Sequence, residues 1–314
     1  MQSRELGRSG FFLTPLVLGA NVFGWTADEA TSFRILDAFM DGGGNAIDTA
    51  DGYSVWVPGH VGGESETIIG KWLRQRGRRD DVRIFTKVGW EVAPDRKGLG
   101  KDYILRSVEG SLRRLQTDYI DLYQSHKDDL SLPVEEPLEA YAQLIREGKV
   151  RAIGASNFTA DRLQAALTAS ATHGLPRYES LQPLYNVYDR ADFEQHLEPV
   201  CRAAGVGTIP YYGLAAGFLT GKYRTEADLQ KSPRGANTGK KYLNPRGLRI
   251  LAALDAVAAH HGAAPGEIAL AWLLTRVTAP IASASRPEQV PGLLRALSIT
   301  LTPADERALA EASQ

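Results

Sequence analysis

The sequence predicts a closed (β/α)8 barrel, eight parallel strands each followed by a helix. Three observations predict it. Short apolar runs alternate with amphipathic segments eight times, and strands alternating with helices imply a parallel sheet. The length, 314 residues, suits a fold that takes about 250 residues before insertions. Asp48, Tyr53, Lys87 and His126 stand at or just past the ends of three separate apolar runs, and parallel barrels do chemistry at the C-terminal ends of their strands.

In chain order, residues 1–14 hold the turn Gly7-Arg-Ser-Gly10 between two short apolar pieces. They read as a hairpin that plugs the N-terminal end of the barrel. The first strand is Leu16–Gly19. Its helix, Glu29–Asp41, follows a capping box at Thr26-Ala-Asp-Glu29 and stops at Gly42-Gly-Gly44. Strand Ala46–Asp48 leads to helix Glu64–Arg76, Val82–Lys87 to Tyr103–Leu115, and Ile120–His126 to Val134–Glu147. Val150–Ser156 leads to Ala160–Thr172, and Ser180–Pro183 to Phe193–Ala204. The seventh strand, Gly207–Tyr211, is followed by a long stretch, 213–246, rich in Gly, Lys and Pro. A connection of that length inside a compact domain is usually functional. An extra helix, Leu248–His260, precedes the regular helix Pro265–Thr275. The last strand, Ala279–Ser283, is followed by Pro287–Leu297 and a final helix capped by Thr302 with Pro303 at its first position. No linker interrupts the pattern, so residues 1–314 are expected to form one domain.

Composition narrows the function classes. A net charge of −1 gives no bias toward nucleic acid or an anionic membrane. The densest basic stretch, Arg74-Gln-Arg-Gly-Arg-Arg79, reads as a solvated helix end. A single cysteine, Cys201, excludes an internal disulfide and any cysteine-cluster metal site. No His pair stands with carboxylates at metal-ligand spacing, so no metal is expected. The first residues lack the apolar stretch of a signal peptide, and no apolar run approaches the ~20 residues of a membrane span. The expectation is a soluble, cytoplasmic protein.

The four ionisable groups suit proton donation. A free tyrosine has a pKa of about 10 and is a reluctant acid at neutral pH. An adjacent ammonium, Lys87, lowers that value by stabilising the phenolate. Asp48 can hold Lys87 charged and oriented, and His126 can align a carbonyl with the Tyr53 hydroxyl. Such a site protonates a developing alkoxide. Singly, each residue has an ordinary reading as a loop tyrosine, a solvated strand end or turn chemistry. Their order on successive strand ends favours the catalytic one.

No Gly-x-Gly-x-x-Gly occurs, so a Rossmann domain is not expected. Gly217-Phe-Leu-Thr-Gly221-Lys222 is one residue short of a phosphate loop, and Tyr223 stands where Ser or Thr is required. Trp25, Trp56 and Trp90 lie in loops after the first three strands, with Phe23 nearby. They are candidates for the wall of a pocket taking a substrate apolar or aromatic near its carbonyl.

Six segments, in order, resemble the aldo-keto reductases. They are Asn45-Ala-Ile-Asp-Thr-Ala-Asp-Gly-Tyr53, Phe85-Thr-Lys87, Asp121-Leu-Tyr-Gln-Ser-His126, Ile153-Gly-Ala-Ser-Asn-Phe158, Leu181-Gln-Pro-Leu-Tyr-Asn186 and Gly217-Phe-Leu-Thr-Gly-Lys-Tyr223. The resemblance implies reversible reduction of aldehydes or ketones by NADPH, with NADH the less favoured cofactor. It implies that Ser156, Asn157 and Gln182 hydrogen-bond the carboxamide and that Tyr211 stacks on the nicotinamide. Gly213, Leu214, Ala215, Gly217, Leu219 and Lys222 would lie over the pyrophosphate. Ala20, Asn21, Asp48 and Tyr212 would complete the cofactor wall. Ser283, Ser285 and Arg286 would hold the 2′-phosphate, with Gln289 beside them. Pro291-Gly-Leu293 departs from the family pattern, so adenine contacts would differ or rest on Glu288 and Gln289. A small carbonyl or alcohol substrate is the expected partner. Relatives work both as monomers and in assemblies, and a monomer is the simpler expectation. The resemblance also admits an NADPH-binding, redox-sensing regulatory subunit with slow turnover.

Overall fold

The computed structural model describes residues 2–314. An antiparallel hairpin pairs β1 (Arg4–Glu5) with β2 (Phe12–Leu13). Eight parallel strands follow: β3 (Val17–Gly19), β4 (Ala46–Asp48), β5 (Arg83–Val88), β6 (Ile120–Ser125), β7 (Val150–Ser156), β8 (Tyr178–Gln182), β9 (Gly207–Thr208) and β10 (Ile281–Ala282). Each is paired with its neighbour in the order β10-β3-β4-β5-β6-β7-β8-β9. The ring closes between β9 and β10 through Thr278 N to Thr208 O at 3.0 Å and Ile281 N to Pro210 O at 3.0 Å. This is the expected (β/α)8 barrel with its hairpin, its long segment after the seventh barrel strand and its extra C-terminal helices.

Strand alternation explains what fills the barrel. Val17, Ala46, Phe85, Leu122 and Ala152 point inward and pack with Leu6, Phe11 and Leu13 of the hairpin, closing the N-terminal end. Burying each of the larger of these side chains contributes roughly 1.5–3 kcal/mol. Two residues further along β4, β5 and β6, the inward positions are Asp48, Lys87 and Gln124. On β7 the equivalent position is Gly154. A Cβ there would come within 2.3 Å of Ser180 Oγ and 3.1 Å of Gln124 Cγ. The glycine leaves the space in which Gln124 sits.

The outward strand residues pack on α1 (Glu29–Asp41), α2 (Glu64–Arg76), α3 (Lys101–Leu115), α4 (Glu135–Arg146), α5 (Ala160–His173) and α6 (Glu198–Ala204). The cap of α1 is Asp28, whose carboxylate accepts from Thr31 N at 2.8 Å. Thr26, the expected cap, lies in the preceding turn instead, because the helix begins directly after Asp28. The turn before α6, Phe193–Leu197, is a π-helix. Pro199 supplies no N–H to the carbonyl four residues earlier, and the helix widens there.

Both strands at the seam are shorter than the sequence suggests. Pro210 and Pro280 each remove an N–H that a longer ladder would need. Segment 213–246 is built of 3-10 turns, Ala215–Thr220 and Glu226–Lys231, followed by α7 (Gly235–Tyr242). Then come α8 (Pro245–His261), capped by Asn244, and α9 (Pro265–Leu274). After β10 the single expected helix is broken into two 3-10 turns around α10 (Val290–Arg295), which contains Pro291 and Gly292. The chain ends in α11 (Pro303–Ala312), capped by Thr302. Among the described residues no helix is long and apolar enough to cross a membrane.

Candidate active site

The inward positions of adjacent strands converge at the C-terminal mouth. Lys87 Nζ lies 2.6 Å from Asp48 Oδ2, 2.8 Å from Thr49 O and 2.7 Å from Tyr53 OH. An ammonium has three protons to donate, so the three acceptors use all of them. Asp48 and Lys87 are fully buried. The second carboxylate oxygen, Asp48 Oδ1, accepts from Gln124 Nε2 at 3.1 Å and Gln182 Nε2 at 2.9 Å. A buried ion pair this completely satisfied is tolerable, whereas removing one partner costs roughly 3–5 kcal/mol.

Burial decides the electrostatics. The Tyr53 phenol is pushed well above its ordinary value, by desolvation first and then by the Asp48 charge. That net direction is opposite to the one expected from Lys87 alone. Lys87 is itself lowered by burial, against the pull of Asp48. Tyr53 therefore stands protonated, with the lysine ammonium already on its oxygen. His126 is held well below the usual imidazole range by burial and by the Lys87 charge. It stays neutral, with its Nδ1 buried and unpartnered. Its ring meets Tyr53 edge-on at 5.9 Å and Trp90 at 5.1 Å between centroids.

One cleft of about 900 Å³ runs from these groups across the seam of the barrel to Arg286. Of the sequence candidates, Asn21, Asp48, Tyr53, Trp56, Trp90, His126, Ser156, Asn157, Gln182, Tyr211, Tyr212, Gly213, Leu214, Gly217, Lys222, Ser283, Ser285, Arg286 and Gln289 line it. Several are tied together. Asn157 donates to His126 O at 2.8 Å and accepts from Tyr211 OH at 2.9 Å, and Ser283 Oγ donates to Asn21 Oδ1 at 2.7 Å. Ser156 donates to Gln182 O at 2.9 Å.

Other candidates are placed elsewhere. Ala20, Ala215 and Leu219 are fully buried beneath the lining, and Phe23 is sealed into the hydrophobic core. Trp25 backs the wall without lining it. Its ring packs edge-on against Trp56 at 5.6 Å and carries the Arg234 guanidinium over its face at 4.8 Å. Gln182 lines the cleft but donates its side-chain N–H groups to Asp48 and Gln124. Gln289 folds its carbonyl back onto Ser285 N at 2.8 Å and Arg286 N at 3.2 Å.

Two residues escaped the sequence reading. Gln124 lies on β6, two positions after the inward-facing Leu122, so alternation alone points it at Asp48. Arg234 lines the cleft and has a buried, unpartnered Nη2, and only its place in the long segment marks it in sequence.

The family model described as Aldo/keto reductase family matches residues 15–314. The chain belongs to that family. It is 36% identical to an oxidoreductase of Bacillus subtilis, YrpG, over 96% of this chain and 92% of that one. It is 34% identical to the aldo-keto reductase YhdN of the same organism, over 92% and 85%. It is also 32% identical to a probable voltage-gated potassium channel subunit beta of Oryza sativa, over 96% and 94%. This aldo/keto reductase is thus an oxidoreductase of a family that reduces carbonyl groups with a nicotinamide dinucleotide, NADH or NADPH.

The cleft of this aldo/keto reductase has the donor set such a dinucleotide needs. Lys222, Arg234 and Arg286 all line it, and none has an ion-pair partner among the described residues. Cations without carboxylates suit a ligand that brings its own phosphates. Tyr212, Ala215, Ala216 and Gly217 all have left-handed backbone, with φ of 56°, 48°, 54° and 90°. Strain of this kind clusters at ligand clamps.

Proposed function

We propose that the cleft binds NADPH and that the enzyme reduces a small aldehyde or ketone to its alcohol, with Tyr53 as proton donor. The observation that carries this reading is the 2.7 Å contact from Lys87 to Tyr53 at one end of a cleft that reaches Arg286 at the other. A bound reduced nicotinamide supplies the hydride. Ser156, Asn157 and Tyr211 line the cleft beside His126 and would hold its ring and carboxamide. Lys222 and Arg234 would face the pyrophosphate. Arg286, at the far end, would favour the additional phosphate of NADPH over NADH.

The chain's own groups then manage one proton. His126, neutral, presents its N–H to the carbonyl oxygen and fixes it beside Tyr53. The Tyr53 hydroxyl gives its proton to the developing alkoxide. Lys87 remains on the phenolate oxygen and stabilises its charge. Asp48, held by Gln124 and Gln182, keeps the ammonium in place. Trp56 and Trp90, both about half exposed, flank the mouth and suit a substrate with an apolar or aromatic body.

The test is oxidation of NADPH, with NADH in parallel, using an electron-poor aromatic aldehyde as acceptor. Turnover is expected with NADPH. It should drop by at least about 10³-fold in Tyr53→Phe, while NADPH binding, read by fluorescence titration, stays near wild type. Retention of most activity in that variant would overturn the role of Tyr53. Likeness to the channel subunit of Oryza sativa favours a second reading, a nucleotide-sensing regulatory subunit. Tight NADPH binding without turnover on any carbonyl would select it.

A further inference from the structure

Behind the catalytic lysine lies a charge imbalance. Asp48, Asp51 and Glu66 are all buried, and the cations among them are Lys87 and Arg114. Lys87 is committed to Asp48 at 2.6 Å, and Arg114 to Glu66 at 2.6 Å. Asp51 is left without an ion pair, and its Oδ1 has no hydrogen-bond partner. Arg96, the third cation nearby, directs its guanidinium to Val61 O at 3.1 Å and makes no ion pair with Asp51, so Asp51 is an unpaired carboxylate in a low-dielectric setting, where taking up a proton is the least costly remedy.

Asp51 is placed to matter. Its backbone N–H donates to Lys87 O at 3.3 Å, and it lies two residues before Tyr53. On the other side it lines a separate cleft of about 820 Å³ between α2 and α3. That cleft gives protons a route that does not pass through the catalytic mouth. The charged and titratable groups facing Asp51 are Glu66 from α2, Arg114 and Tyr103 from α3, Tyr123 and Lys87 from the barrel, and Arg96 from the loop before α3. His60, Glu64, Asp95 and Arg106 stand around the same cleft.

We propose that Asp51 is a positioning residue for the Lys87–Tyr53 pair. By gaining or losing a proton it changes the charge standing behind the ammonium, and so sets how readily Tyr53 gives up its own. This rests on the reductase reading above. Burial and the Glu66 charge push the Asp51 carboxyl up to about 7, so the change falls in the physiological range. When Asp51 is protonated, Asp48 alone offsets the field of Lys87 at the Tyr53 oxygen. When Asp51 is ionised, its negative charge offsets part of that field and phenolate formation becomes harder. Reduction is therefore faster on the acid side.

The experiment is single-turnover oxidation of NADPH by aldehyde with excess enzyme, from pH 5.5 to 8.5, in wild type, Asp51→Asn and Asp51→Glu. The wild-type rate should fall on the order of tenfold in one step near neutrality, the scale of one added charge about 10 Å away in a medium of effective dielectric near 20. Asp51→Asn should lose the step and stay at the faster level, and Asp51→Glu should keep it. An unchanged step in Asp51→Asn overturns the proposal. Absence of wild-type turnover at every pH overturns the reductase reading itself and the proposal with it. Infrared spectroscopy of the unmutated protein is independent of both folding of the variants and turnover. A protonated-carboxyl C=O band should titrate near neutral pH, and a protein with no such band above pH 6 contradicts the assignment.

Discussion

Lys87 uses all three of its ammonium protons on Asp48, Thr49 and Tyr53, and its neighbours carry testable consequences. Gln124→Leu removes one of the two side-chain donors to Asp48 Oδ1. It should cost about 1–3 kcal/mol, read by urea unfolding, because it leaves a buried acceptor under-satisfied. His126 makes stability depend on pH with a definite sign. Its folded value lies below the ordinary ~6.5, so in the acid range the unfolded chain binds a proton that the folded one refuses. This contribution is intact above ~6.5 and is lost as the pH falls toward the lower folded value. Unfolding midpoints at pH 7.5 and 5.5 should differ less in His126→Gln than in wild type. At this scale the meeting of Asp48, Tyr53, Lys87 and His126 was legible, because strand ends suffice to bring the four together. The direction of the Tyr53 shift was not, because burial is a property of the packed molecule. Gln124 was within reach of simple alternation, whereas Arg234 depends on how a long segment folds back over the mouth.

Among the elements, segment 213–246 departs furthest from a sequence reading. Gly, Lys and Pro content marks it as a loop, yet α7 forms in it, with Gly235 and Gly239 packed close against Leu229. Nothing in local periodicity reveals that contact. Its first turn holds the clearest elemental prediction. Gly217 has φ of 90°, and a Cβ there would lie 2.9 Å from Lys222 Nζ. Gly217→Ala should destabilise the turn by about 1–2 kcal/mol through left-handed strain. It should also raise the KM for NADPH with little change in kcat, because the displaced group is the Lys222 ammonium. Steady-state kinetics alongside thermal melts separate the two effects. The shortened strands β9 and β10 belong to this scale too. Both flanking prolines are visible in sequence, and weighing their missing N–H groups would have trimmed the strands correctly.

For the whole molecule, the two ends of the barrel divide stability from chemistry. The hairpin closes the N-terminal end with Leu6, Phe11 and Leu13, none of which lines the cleft. Leu6→Ala should cost roughly 2–5 kcal/mol by leaving a cavity under the strands. It should leave KM and kcat unchanged at temperatures where the variant is folded. The barrel plan was legible throughout because eight alternations are difficult to satisfy otherwise. The closure between β9 and β10, by contrast, rests on contacts between residues some seventy positions apart, which no local pattern encodes. That closure is also the thinnest part of the ring, a few hydrogen bonds bounded by prolines. It is where the barrel should breathe, so the amides of Thr278 and Ile281 should exchange with deuterium well before those of β5 or β6. The proposed nucleotide cleft has walls on both sides of this gap, with Tyr211 and Gly213 on one and Ala282 and Ser283 on the other. A ligand seated there would act as a clasp, and its occupancy would be read most directly as slowed exchange at a joint that the polypeptide alone leaves loose.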